Sequence, residues 1–457
     1  MATVGLNFGN LATGSGFDVT NTVSAILSIE AGVETPWKNQ LATMQAQDTA
    51  FSTLGTDLSS LSTALSALTN FDGVFASKLG SSSDTNALTL SSASAAATAG
   101  SHTVIIASLA ATSSDYSDRI GSLSDTLSGT LQIKVGTSDQ TITLDSTNNT
   151  LKTLALAINS GTYGVTASVV QDTSGYRLSI VSKASGAAGQ ITLTPTLTDT
   201  TNANAAIQFS SGQTGVDAVL NVDGLNTTSA SNTVTTAIPG VTFQLLAAAP
   251  STPIQVQITN DNSSVMTAFT SFVTAYNQLV TDMTTQEGKD ANGKAEPLYG
   301  NSNLQTIQTQ LAQTLNAGSA SGGIANMQQL GLSVGQDGKL TLSNSTLDAM
   351  LNSNFADVNG FMQNSGSFGQ TITSAVNSLG GVSTSGTIYL AKKENTAKET
   401  ALNKSIADQD ARIATQKISL TKELSLANQI LQSIPDKLSE INQIYSAVTG
   451  YNTGNGG

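Results

Sequence analysis

Cysteine is absent from the 457 residues, which excludes disulfides, thiolate chemistry and cysteine-bound metal. Such a chain can pass between redox compartments without mispairing. Charge is scarce: Asp, Glu, Lys and Arg make up 11%, against roughly 25% in an average globular protein. Ser, Thr, Asn and Gln fill the surface instead. The formal net charge is −13, and no Lys or Arg falls between Lys183 and Lys289. Neutralising phosphates needs basic residues, so nucleic acid is not an expected partner. The first cationic side chain is Lys38, so the N-terminus lacks the basic region of a cleaved secretory signal. No apolar run nears the roughly 18 residues that span a bilayer. The only histidine is His102, too few imidazoles for the usual metal sites.

What is present begins with a long C-terminal helix. Leu420, Leu424, Ala427, Leu431, Ile434, Leu438, Ile441, Tyr445 and Val448 alternate spacings of four and three. That is the seam of a coiled coil, which one helix cannot bury alone. Phe51, Leu54, Leu58, Leu61, Leu65 and Leu68 repeat the spacing near the other end of the chain. The expected arrangement pairs these two series. A core of its own domain, formed with residues 265–283, is the other reading of the Phe51–Leu68 stripe. Upstream, the seam meets Asn403, Asp410 and Lys417, polar residues that weaken pairing or set register. Pro435 removes a backbone donor within the seam, which predicts a kink.

Along the chain, residues 1–17 are rich in Gly, Asn, Ser and Thr, a composition expected to be disordered when free. Asp18 is a favoured N-cap, and the helix after it stops at Gly32. Thr35-Pro36 opens a second helix that reaches Leu68. From Val74 to Asn260 the period becomes two, as in Leu131–Val135, Thr141–Leu144, Tyr176–Ile180 and Ile254–Ile258. Asp223-Gly224 predicts a hairpin, and Leu151–Ile158 a short helix. Helical stripes return after Ser264, with a hairpin around Asp337-Gly338 and helices near Leu347–Met362 and Phe368–Leu379. A Gly/Ser/Thr linker, Gly380–Gly386, leads into the last helix. The expected fold is α+β and multidomain. Residues 1–40 with 400–457 make a coiled-coil leg, and 41–73 with 262–399 a helical framework. Two inserted β-rich heads follow, an inner one from 74–110 with 215–261 and an outer one from 111–214.

Catalytic signatures fail on context. Gly331-Leu332-Ser333-Val334-Gly335 matches G-x-S-x-G, but that elbow needs a strand-turn-helix and a later histidine. His102 lies far upstream. Asp290–Glu296 resembles part of a calcium loop without its dense oxygen ligands, so it reads as a solvated turn. The terminal helices lack the basic polar face of membrane-surface helices. Neither an enzyme nor a cofactor is expected.

The order helix, strand block, helix carries a resemblance. Gly14-Ser15-Gly16-Phe17-Asp18-Val19 resembles the opening motif of the flagellar hook-associated protein 2 family. Asp217–Gly224, Ala237–Phe243, Ala275–Leu279, Leu330–Leu332 and Asp337–Leu340 resemble its C-terminal region. Leu131–Thr194 is similar to the insertion module of flagellin-type proteins. The resemblance implies an extracellular filament cap at the flagellar tip, a homo-oligomeric ring with heads as a plate and terminal helices as legs. It implies export by the flagellar type III pathway, aided by an export chaperone, and partnership with flagellin and hook-filament junction proteins. The proposed subunit-interaction seam comprises Leu420, Leu424, Leu431, Ile434, Leu438, Ile441, Tyr445 and Val448, with Leu54, Leu58, Leu61 and Leu65. An adhesin or glycan-binding head, a junction protein and a flagellin are the alternatives.

Overall fold

The structure is a computed structural model and describes residues 16–318, 323–380 and 385–450. The expected export segment, except Gly16 and Phe17, and most of the Gly380–Gly386 linker lie outside the described residues. The helices are α1 (Val19–Ala31), α2 (Glu34–Thr69), α3 (Leu151–Ser160), α4 (Asn262–Glu287), α5 (Ser302–Asn316), α6 (Asn344–Ser353), α7 (Phe355–Gln363), α8 (Phe368–Leu379) and α9 (Thr387–Thr449). Two compact units result: residues 70–268, and the two flanking sections together.

In the flanking unit, α2 packs on α7, α8 and α9. Its Phe51, Leu54, Leu58, Leu61, Leu65 and Leu68 are all at most 1% exposed. Burying one such side chain stabilises by about 1.5–3 kcal/mol, so this stripe is the unit's spine. Phe361 of α7 and Phe368 of α8 stack with ring centroids 4.9 Å apart. The expected helix over 347–362 is divided at Asn354, whose φ of −136° and ψ of 41° leave the helical region. The hairpin 332–342 is tied to α4 by Asn277. Its amide donates to the Leu340 carbonyl at 2.8 Å, and its Oδ1 accepts from the Leu340 amide at 2.7 Å. Two of the family-like motifs therefore meet at one side chain. Gly331 turns the chain there with φ +80°, where a Cβ would crowd the Ser343 carbonyl.

The strand-bearing unit has two separate cores. One gathers Leu88, Val104, Ile106, Leu220, Phe243, Ile254 and Val256, under a five-stranded sheet ordered 78–82, 249–260, 100–108, 218–222, 225–229. Its last pair is the expected hairpin, with Asp223 and Gly224 at φ +52° and +86°, as a tight primed turn requires. The second core gathers Leu131, Ile133, Leu154, Ile158, Leu178 and Ile180. It is covered by α3, which Thr150 and Thr153 cap reciprocally. The chain leaves and rejoins the first core at one place: Ala111 and Val216 exchange both backbone hydrogen bonds, at 2.9 and 3.2 Å.

Candidate assembly interface

α9 runs antiparallel to α2 and then to α1, and named side chains mark the register. Lys392 Nζ donates to Ser52 Oγ at 2.8 Å, and Asn395 Nδ2 to Asp48 Oδ1 at 2.8 Å. Further along, Gln409 Nε2 donates to the Glu30 carbonyl at 3.3 Å. The Phe17 amide donates to Asn428 Oδ1 at 2.8 Å. A Cβ at Gly16 would overlap that Asn428 oxygen, so a larger residue there would displace the Asn428 side chain from this bond. The α1–α2 joint lies between these ties. There Glu34, 2% exposed, is bound by Lys38 at 2.7 Å, and the hydrogen bond that Lys38 donates to Glu34 raises the Lys38 ammonium above its usual pKa.

This register corrects the expected pairing of 51–68 with 420–448. α9 meets α2 through residues near Ile388, Ala391 and Asn395, all buried, while its later turns pass α1. Leu54, Leu58, Leu61 and Leu65 are closed inside their own unit, so they offer nothing to another subunit. Among the seam residues, Leu420, Leu424, Leu431 and Ile434 are half-buried. Beyond them Leu438, Ile441, Tyr445 and Val448 are 49%, 59%, 52% and 80% exposed.

The polar positions also differ from expectation. Asn403, Asp410 and Lys417 are exposed, and the protected row runs one residue earlier, through Leu402, Gln409 and Gln416. Two steps of four in succession, Gln416 to Leu420 to Leu424, shift the phase. Such a stutter lets a helix with 3.6 residues per turn keep facing its neighbour. The buried polar groups that set register are Asn395 and Gln409, 7% and 6% exposed. A strict heptad read back from Leu424 misses both, because the stutter moves the buried row.

The free end of α9 has an apolar face broader than the seam. Ile430 and Ile444, 58% and 64% exposed, lie beside Leu438, Ile441 and Val448. α9 continues through Pro435 to Thr449. A helix end of this length that the other described residues leave largely uncovered is marginal in water.

The other candidates resolve as structure. Ser333 lies in the hairpin strand 332–334, hydrogen-bonded to Thr341 Oγ1 at 2.7 Å. His102 Nδ1 is 2.7 Å from Asp223 Oδ2, at the turn of the hairpin 218–229. Asp290 Oδ1 accepts from the Asn292 and Lys294 amides, each at 2.9 Å, closing an ordinary turn. An open groove of about 920 Å³ between α2 and α9 is lined by Phe51, Ile388, Tyr389, several hydroxyls, Lys392 and Lys393, without a carboxylate. Among the described residues no group of three or more His, Asp or Glu could hold a metal ion. None of their helices is long and apolar enough to cross a membrane.

Comparison with known proteins agrees with this architecture. The model of the flagellar hook-associated protein 2 N-terminus matches residues 15–113, and that of its C-terminus residues 215–435. The flagellin hook IN motif matches 130–184, within the second strand core. The B-type flagellar hook-associated protein 2 of Pseudomonas aeruginosa is 27% identical, over 93% of this chain and 94% of the relative. Flagellar hook-associated protein 2 of Escherichia coli is 28% identical, over 95% and 97%. The solved D1-D2-D3 domains of the flagellar cap protein FliD from Escherichia coli give a TM-score of 0.61 at 27% identity, covering 76% of this chain and 99% of that one. The chain belongs to the flagellar hook-associated protein 2 family, whose members are structural proteins of the flagellum and not enzymes.

Proposed function

We propose that this flagellar cap protein retains exported flagellin at the filament tip, promotes its folding and insertion, and does so through the free end of α9. The observation that carries the reading is the exposed apolar face Leu438, Ile441, Tyr445 and Val448 on a helix that its own described chain leaves uncovered. Leu420, Leu424, Leu431 and Ile434 continue that face toward α1 and steady it. The partners in this reading are further copies of the chain in a ring, flagellin and the hook-filament junction proteins, with an export chaperone before secretion. Export through the flagellar type III pathway accords with the absence of cysteine.

A carboxylate introduced at Ile441 tests this. The side chain is 59% exposed, so Ile441→Asp leaves the isolated fold unchanged. Placed in an apolar contact, an unpaired charge costs several kcal/mol. Cells carrying Ile441→Asp should lose motility and release flagellin monomers, seen on blots of the medium, while Ile441→Leu swims. Normal swimming by the Asp variant would make the end of α9 a passive tail.

A further inference from the structure

Asp57 on α2 and Asp282 on α4 are half-buried neighbouring carboxyls of the helical unit. Asp57 Oδ2 is buried and accepts no hydrogen bond from any N–H or O–H of the protein. Its hydrogen-bonding neighbour is the Asp282 carboxyl. Asp282 is itself held by Gln278 Nε2, which donates to its Oδ2 at 2.9 Å. Ionised carboxylates only accept, so the two oxygens can bond only if a proton lies between them.

We infer that Asp57 and Asp282 form a proton-dependent latch, which ties α2 to α4 while Asp57 keeps its proton and loosens when Asp57 loses it. Burial is the first cause that lifts the Asp57 carboxyl, to about 7, with Asp282 adding to the shift. The charged surroundings offer no relief. α8, packed on α2, carries no ionisable side chain. α7 adds only Asp357, and on α4 the other acid is Glu287, five residues beyond Asp282. The hairpin tied to α4 carries Asp337 and Lys339. From α9, Lys392 is engaged by Ser52 and Lys393 lines the open groove. The charge acting on Asp57 is that of Asp282.

The direction follows from linkage. A carboxyl raised in the folded state holds its proton over a range where the unfolded chain has lost it, so the folded state binds more protons there. The stabilisation is present at low pH and disappears as pH rises from the ordinary carboxylate range through about 7. Replacing the proton by an amide removes the dependence, because the side-chain amide introduced by Asp57→Asn donates to Asp282 at every pH.

The test is thermal unfolding of the full chain followed by circular dichroism at the helical band, between about pH 5.5 and about pH 8.5 at constant ionic strength. The wild-type midpoint should fall by a few degrees across this window. Asp57→Asn and, independently, Asp282→Asn should flatten the slope, with Asp57→Asn melting above wild type at the alkaline end. A wild-type midpoint that does not fall over the window overturns the latch even if both variants fail to fold. A folded Asp57→Asn protein that keeps the wild-type slope overturns it equally.

Discussion

Asn428 shows how much register a single side chain carries. Its Oδ1 receives the Phe17 amide across 411 residues of sequence, and Gly16 leaves the room for it. Asn428→Ala removes one partly buried hydrogen bond, worth about 0.5–1.5 kcal/mol. Gly16→Ala forces the same contact apart sterically. Both variants should show faster amide exchange over residues 17–27, with the buried leucines of α2 unaffected. Protection of α1 that matched wild type in both would mean that α1 is held by Val23 and Leu27, its buried apolar residues, without this tie. Asn395 and Gln409 do similar work at α2 and the end of α1. Nothing in their local sequence separates them from the exposed amides nearby, because the phase of the buried row is set by the facing helices.

At the scale of elements, α2 and the end of α9 carry the same apolar rhythm and have opposite fates. Leu61 is fully buried, whereas Leu438 is 49% exposed. Leu61→Ala should lower the stability of the helical unit by about 2–5 kcal/mol, the transfer term plus a cavity. Leu438→Ala should stay within about 0.5 kcal/mol in the isolated chain. Chemical denaturation read at the helical band measures both. In cells the Leu438 position should matter despite that: Leu438→Asp should impair swimming while the purified protein melts as wild type. Equal loss of stability for Leu61→Ala and Leu438→Ala would show that the end of α9 is packed within its own chain.

For the molecule as a whole, the exchange of hydrogen bonds between Ala111 and Val216 brings the ends of the second strand core to neighbouring positions. Paired residues across antiparallel strands lie about 4.5–5.5 Å apart between Cα atoms, a gap that two or three small residues close. Replacing 112–215 by a short Gly/Ser linker should leave a soluble protein that loses strand signal and, of its helical signal, only the share of α3. The losses at the joint are few: Ala187 N to Asp217 Oδ1, at 2.7 Å, Ser185 Oγ to the Ala230 carbonyl, at 2.7 Å, and Gly186 N to the Ala111 carbonyl, at 3.1 Å. Circular dichroism with sedimentation velocity checks this. Helical signal falling by more than the share of α3 would show that the rest of the chain depends on the second core.

Much of this architecture could be read from the chain before folding was considered. Periods of two and of three-to-four separate the strand block from the helices, Asp223-Gly224 places its hairpin, and Asp18 and Gly32 bound α1, because these are local preferences of backbone and side chain. The exposed seam at Leu438, Ile441, Tyr445 and Val448 was also visible, since amphipathicity is written within one helix. Which apolar stripe closes on which is a non-local matter. The leucines of α2 have α7, α8 and α9 against them, and that surface is assembled from residues some 300 positions away. The same holds for the stutter at Gln416, Leu420 and Leu424 and for the neighbouring carboxyls of Asp57 and Asp282. Each depends on where a second helix lies, and a pattern confined to one helix carries no such information.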